Sequence, residues 1–265
     1  MRSQRLTGSP SVRVDWGKRL RCRVVRIDIW TDIVCPYCYL GRRRFEEALE
    51  RFEHRDEVEV QWHSFELDRN AEPVSEHDLP GLIAAKYGIS REEAVAQHEG
   101  LAAQAAEVGL EFNWQAARSG NTFDAHRLVH LAAEVGGQAL AGRAHEGLLR
   151  AYFTEGRAIG DRETLVALAS EIGLAPDAVR DMLESDDYGN HVRSDEATAK
   201  MLGITSVPFF VLDRRYGVPG AQPTEVFEQA LAQAWASKDE DREPAMAAGG
   251  CGGCGPGGCG GVCSA

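Results

Sequence analysis

The chain has 265 residues, 43% of them hydrophobic and 26% charged, with a formal net charge of −12. That much apolar chain can bury a substantial core, which excludes a wholly disordered protein. The negative balance argues against general binding to nucleic acid or anionic membrane, and no run is long and apolar enough to cross a bilayer.

Charge is unevenly spread. Residues 1–26 carry eight basic residues and one acidic residue, Asp15, a local +7 that leaves −19 for the remainder. A basic start could open a secretory signal, but Leu20-Arg21-Cys22-Arg23-Val24-Val25-Arg26 is broken by charge where an apolar run is needed. The pattern predicts a soluble, cytoplasmic protein in which Met1 to about Arg21 is a disordered extension rather than a nucleic-acid-binding arm.

Val24-Val25-Arg26-Ile27-Asp28-Ile29-Trp30 alternates apolar and charged residues and is rich in β-branched types, so it predicts a strand ending near Thr31-Asp32. A helix follows at once, with Phe45, Ala48, Leu49 and Phe52 on one apolar face. Between them stands Cys35-Pro36-Tyr37-Cys38. Pro36 suits the first turn, where its missing N–H is no loss. Cys35 at the helix N-terminus should ionise more readily than a free thiol, because unpaired N–H groups and the helix dipole favour an anion. Cys38 comes round one turn later, so the two sulfurs can meet in disulfide geometry. A helix-starting C-x-x-C of this kind reads as a thioredoxin-like redox motif, and the reading needs both sulfurs facing each other and within a substrate's reach. Half a zinc site is the competing interpretation, but the strand-to-helix setting supplies no second pair of ligands.

Residues 58–67 alternate well enough for a second strand, giving a β-α-β unit. From about Pro73 to Val207 the pattern is helical. Ser90 and Glu93 form a capping-box signature, after which Ala94, Leu101, Ala105 and Val108 share a face. Further apolar faces run through Ala125, Leu128, Val129 and Ala132, through Leu140, Ala144, Leu148 and Ala151, and through Leu165, Leu168, Ala169 and Ile172. Asp161 is the predicted N-cap of the last of these, and Pro176 opens a short helix beyond it. Val207-Pro208-Phe209-Phe210-Val211-Leu212-Asp213 returns to strand pattern, Gly217 to Gly220 can turn into an edge strand or loop, and a final helix from near Pro223 buries Phe227, Ala230, Leu231 and Ala234.

The strand, Asp32-Ile33-Val34-Cys35-Pro36-Tyr37-Cys38, Ser64-Phe65-Glu66-Leu67-Asp68, the helical stretch and Ser206-Val207-Pro208-Phe209-Phe210-Val211 together resemble the DsbA family, specifically its cytoplasmic FrnE-like branch, over roughly Val24 to Trp235. The resemblance implies an α/β, thioredoxin-like fold with a large all-helical insertion. The chain then divides into a basic extension (1–23), a first thioredoxin-like segment with the C-x-x-C motif (24–75), the insertion (76–202), a second thioredoxin-like segment with the proline-bearing strand and last helix (203–238), and an acidic linker with a Gly/Cys-rich tail (239–265). It also implies that Pro208 is a cis-proline beside the redox pair, leaving the Val207 backbone free to pair with an extended peptide near Cys35. Kappa-class glutathione transferases and 2-hydroxychromene-2-carboxylate isomerases share the layout. They typically carry serine at the position of Cys35 and lack the second cysteine.

The implied activity is that of a cytoplasmic protein disulfide oxidoreductase or isomerase, with Cys35 and Cys38 catalytic and Pro36, Tyr37, Val207 and Pro208 supporting them. Its partners would be protein or peptide thiols and disulfides, and low-molecular-weight thiols, with no cofactor, nucleic acid or membrane. Pro36-Tyr37 lacks the histidine of strongly oxidising relatives, so a moderate potential and a reductase or isomerase role follow from the resemblance. The alternatives are a glutathione-dependent small-molecule isomerase or transferase and a peptide-binding chaperone.

Cys251, Cys254, Cys259 and Cys263 stand among glycines near the C-terminus. They read as a second redox pair, Cys254 and Cys259, similar to the C-x4-C of FrnE-like proteins, as a tetrathiolate metal site, or as inert thiols on a disordered tail. His126 and His130 have the spacing of paired metal ligands but lack the glutamate of H-E-x-x-H, so they read as core or surface histidines. Asp32 and Glu66 are candidates to shuttle protons at the redox pair.

Overall fold

The computed structural model describes residues 24–238. A four-stranded sheet of order β2-β1-β3-β4 is formed by β1 (Val25–Thr31), β2 (Val58–Ser64), β3 (Phe209–Leu212) and β4 (Tyr216–Pro219). β1 pairs parallel with β2 from Val25 opposite Val58 to Thr31 opposite Ser64, and antiparallel with β3, where Ile29 lies opposite Phe210. β3 and β4 form an antiparallel hairpin. The β1–β2 crossover runs through α1 (Pro36–Arg51) and a short 3-10 turn at Arg55–Glu57.

Strand alternation decides what each face meets. Val25, Ile27 and Ile29 of β1 point into a dry core with Phe45 and Ala48 of α1, Phe210 and Leu212 of β3, and Phe227, Leu231 and Ala234 of α8 (Thr224–Ala236). Phe210 and Phe227 meet edge to face, with ring centroids 4.7 Å apart.

Between β2 and β3 lie α2 (Leu79–Tyr87), α3 (Arg91–Glu107), α4 (Phe123–Phe153), α5 (Arg162–Ile172), α6 (Pro176–Glu184) and α7 (Gly189–Met201). They enclose a second, larger core built on Leu128, Leu148, Leu149, Tyr152, Leu165 and Leu168. The Ser90–Glu93 capping box is formed, and Asp161 caps α5 by accepting from the Thr164 N–H. The two apolar faces expected at 125–132 and 140–151 belong to one 31-residue element without an intervening loop. Gly136 and Gly137 leave helical geometry inside it, with φ +67° at Gly137, a conformation glycine adopts at little cost. Helices α2 and α7 have weaker sequence patterns: α2 buries only Pro80, and α7 only Val192, Glu196 and Ala199. β2 and β3 are shorter than their alternating runs, because β2 ends at Ser64 and β3 begins after Pro208, which offers no N–H to a ladder. No helix among the described residues is long and apolar enough to cross a membrane.

Candidate active site

Cys35 is the N-cap residue of α1 and Pro36 its first residue. The Cys35 carbonyl accepts from the N–H groups of Cys38 (3.0 Å) and Tyr39 (3.4 Å), so the helix starts between the two cysteines. The Cys35 side chain does not cap its own helix; its thiol lies 3.6 Å from the Val207 carbonyl, to which it donates. Both cysteines are free thiols. They pack in one buried cluster, and the Cys35 sulfur is among the influences that raise the Cys38 thiol.

Cys35 is nearly closed, at 4% exposure, and Cys38 is buried at 1%. Trp30, Ala199 of α7, Ile204 and Val207 wall them in, while Tyr37 beside them is 49% exposed. The sulfur that a redox reading wants within a substrate's reach is therefore recessed, because α7 and the segment leading to β3 fold across it.

The Val207–Pro208 peptide bond is cis. Helix α1 comes up against Pro208 because residue 41 is glycine: a Cβ there would stand 3.0 Å from the Pro208 Cγ and 3.2 Å from the Ala221 Cα. An isolated glycine inside a helical pattern is a visible signal, but the sequence does not say what approaches it.

Around Cys38 the electrostatics are specific. Burial pushes its thiol well up, and the Cys35 sulfur adds to this; hydrogen bonds from the Thr31 side chain and the Asp32 N–H, 3.4 Å from Sγ, work the other way. The Asp32 carboxylate is turned elsewhere, accepting from the Leu67 N–H at 2.7 Å and lying 3.3 Å from the His126 Nε2. Glu66 is buried and ion-paired with Arg193, and burial raises its carboxyl. Neither carboxylate reaches a cysteine sulfur among the described hydrogen bonds; the backbone of Asp32 does. Thr31 and, behind it, His145 and Arg42 are the side chains that sequence inspection missed, since only folding brings α4 against α1.

His126 and His130 have different partners. His126 meets Asp32, whereas His130 Nε2 is 3.1 Å from the Ser64 Oγ and 3.1 Å from the Asp195 Oδ2. Among the described residues no group of three or more His, Cys, Asp or Glu side chains is arranged to hold a metal ion. Cys251, Cys254, Cys259 and Cys263 lie outside the described residues.

The chain is similar to known proteins. A probable DsbA oxidoreductase of Streptomyces coelicolor is 48% identical, with 80% of this chain and 90% of that one covered at a TM-score of 0.75. An uncharacterized Bacillus subtilis protein, YwbO, is 29% identical over 215 residues, 78% of this chain and 96% of its own length. The cytosolic disulfide reductase DsbM of Pseudomonas aeruginosa, solved with glutathione, shares the fold at 19% identity and a TM-score of 0.54, over 80% and 99% of the two chains. The family model that matches this chain from Arg26 in β1 to Ala232 in α8 is the DSBA-like thioredoxin domain, and the chain belongs to that family.

Proposed function

We propose that the protein is a cytoplasmic, FrnE-like thiol–disulfide oxidoreductase that reduces or isomerises protein and peptide disulfides. The observation that carries this reading is the pair of free thiols at the start of α1, packed in one buried cluster with the Val207 carbonyl on the Cys35 sulfur. In the reductive direction the Cys35 thiolate attacks a substrate disulfide. A bond forms between Cys35 and one substrate sulfur, and the other leaves as a thiolate that takes up a proton. Cys38 then attacks the Cys35 sulfur, closing the Cys35–Cys38 disulfide and expelling the second substrate thiolate. Two electrons have passed to the substrate, and two molecules of a low-molecular-weight thiol restore the dithiol in successive exchanges, leaving as their own disulfide. The glutathione in the Pseudomonas neighbour supports such a partner by analogy of fold.

Because Cys35 is recessed, the substrates are extended or unfolded segments that enter beside Val207 and displace its carbonyl from the sulfur. Pro36, Tyr37, Val207 and Pro208 shape that entrance. Cys254 and Cys259 are the second redox pair in this proposal, relaying electrons to or from the first.

The test is insulin reduction and refolding of scrambled ribonuclease. Cys35→Ser should abolish both and Cys38→Ser should accumulate mixed disulfides, whereas full activity of Cys35→Ser would sink the reading. Suppression of aggregation that survives Cys35→Ser in a protein without exchange activity would favour a peptide-binding chaperone instead. A chain ending at residue 238 tests the tail: unchanged turnover removes Cys254 and Cys259 from the scheme.

A further inference from the structure

Where β1 ends the chain turns away from the sheet, and Asp32 stands at that corner. Its carbonyl accepts from the Cys35 N–H at 3.3 Å, closing a four-residue turn through Ile33 and Val34 whose first place suits aspartate. Its own N–H donates to the Cys38 Sγ at 3.4 Å. The backbone of this one residue therefore touches both cysteines.

The side chain has a different task. β1 and β2 pair as far as Thr31 opposite Ser64, and the Phe65 N–H still bonds the Thr31 carbonyl at 3.0 Å. In a parallel ladder the next donor, the Leu67 N–H, would meet the carbonyl of residue 33, but the chain has already turned off the sheet. The Asp32 Oδ2 accepts that N–H instead, at 2.7 Å, and the Oδ1 lies 3.3 Å from the His126 Nε2 of α4. Asp32 and His126 are 1% and 2% exposed, so water does not compete for either contact. The thioredoxin-like part and the helical insertion thus meet on a single carboxylate, and Ile33 beside it is sealed in the larger core.

We infer that the Asp32 carboxylate and His126 are positioning groups for the second half of the exchange: by tying the β1–α1 corner to Leu67 and to α4, they keep the Asp32 N–H aimed at Cys38 as that sulfur becomes the attacking thiolate. The inference rests on the exchange reaction proposed above. Cys38 is 1% exposed, so its thiolate depends on protein donors, and the Asp32 N–H works against the rise that burial imposes on this thiol. Cys38 attacks the Cys35 sulfur, the Cys35–Cys38 bond forms, the bond from Cys35 to substrate breaks, and the electron pair leaves on the substrate sulfur. The Asp32 carboxylate acts by direction and not by proton transfer, since no described hydrogen bond joins it to either sulfur.

The titratable and charged groups around this corner come from four elements. They are Cys35 at the start of α1, with Arg42 further along it, and His126 and His145 of α4, the latter 3.2 Å from the Thr31 Oγ1 and 2.8 Å from Arg42. Glu66 follows β2 and is paired with Arg193 of α7. The groups that α7 and the segment before β3 place against the cysteines themselves are the apolar Ala199, Ile204 and Val207.

The experiment separates the two steps on the full chain, using a cysteine peptide joined by a disulfide to thionitrobenzoate. After rapid acid quench, mass mapping follows the peptide adduct on Cys35: its formation reports attack by Cys35, and its loss reports attack by Cys38. Asp32→Asn and Asp32→Ala both remove the charge. Asparagine keeps an oxygen for the Leu67 N–H and a polar group for His126, whereas alanine keeps neither, so the ratio of the two isolates the tie. Per folded molecule, the Ala variant should lose the adduct about tenfold more slowly than the Asn variant, the size of one hydrogen bond to a charged group. Its pH midpoint for that step should lie higher, with adduct formation equal in the two. Equal second steps, or a first step slowed as much as the second, would overturn the inference. Should Asp32→Ala not fold, His126→Gln and His126→Leu decide: the glutamine amide can still reach the carboxylate, so a Leu variant as fast as Gln in the second step overturns the inference and a slower one supports it. A wild-type protein that forms no Cys35 adduct, or a Cys38→Ser adduct that decays at the wild-type rate, would overturn the exchange reading itself.

Discussion

On one face of β1, Val25, Ile27 and Ile29 are sealed by Phe45 of α1 and Phe227 of α8 with no polar group among them. On the other, Asp28 and Trp30 meet a polar junction with β2 and α7. His63 lies between Asp28 and Asp195, 2.7 Å from each, stacks on Trp30 at 4.5 Å, and the Trp30 Nε1 donates to the Asp195 carbonyl. The dry face depends on area and fit, which do not change with pH. The polar face depends on charge and direction, and it anchors the helix that closes over Cys35. The strand that positions the thiols is thus held from one side by packing and from the other by a titratable network.

The largest effect should come from opening the dry face. Phe227→Ala removes a fully buried ring and should cost about 3–5 kcal/mol in chemical denaturation, with little change in exchange rate per folded molecule. A comparable fall in that rate would show that the two faces are not separable.

Asp195→Asn breaks the polar face, and a loss of about 2 kcal/mol is expected for hydrogen bonds to a charged group. It should also alter alkylation of Cys35, because α7 carries Ala199 across that thiol. The same network makes stability depend on pH. Burial pulls the His63 proton affinity down, but hydrogen bonds and charge from Asp195 and Asp28 overcome it and raise its pKa to about 9. This contribution is complete below the ordinary value of 6.5 and is lost as pH climbs through about 9. Burial pushes the Asp195 carboxyl up, yet His130, His63 and the Ser64 N–H hold it well below the ordinary 3.8, so its contribution is present above that pH and fades as the pH falls further. Denaturation midpoints should thus decline from pH 7 to pH 10 in the wild type and decline much less in Asp195→Asn. Parallel curves would assign the pH dependence to other groups.

Gly41→Ala should have the smallest effect on stability, about 1–2 kcal/mol of overpacking. Its added Cβ presses on Pro208 rather than on either core. A measurable drop in peptide exchange at near-native stability would sharpen the distinction between packing that supports the fold and packing that shapes the entrance.

Much of the fold was legible in the residues. The alternation of Val25, Ile27 and Ile29, the 3.6-residue recurrence of Phe45 and Ala48, the Ser90–Glu93 box and the Asp161 cap are local patterns, and local patterns survive without knowledge of distant chain. Helices α2 and α7 were not singled out because each buries few residues, so their sequences carry only a faint stripe. At the site, Cys35 and Cys38 announce themselves by spacing, and Pro208 by a family resemblance.

The residues taken alone dictate the chemistry on offer: two thiols one helical turn apart at the mouth of a helix, at the edge of a strand with one apolar face. Folding in three dimensions settled how that chemistry is controlled. Thr31 and His145 are 114 positions apart and Cys35 and Val207 are 172 apart. Such contacts leave no periodic trace, because side chains that meet only through packing of distant elements need share no spacing along the chain. The near closure of Cys35, the Arg42–His145–Thr31 contacts and the clamp on α7 all arise at that level, where each polar group must find its partner as the chain excludes water.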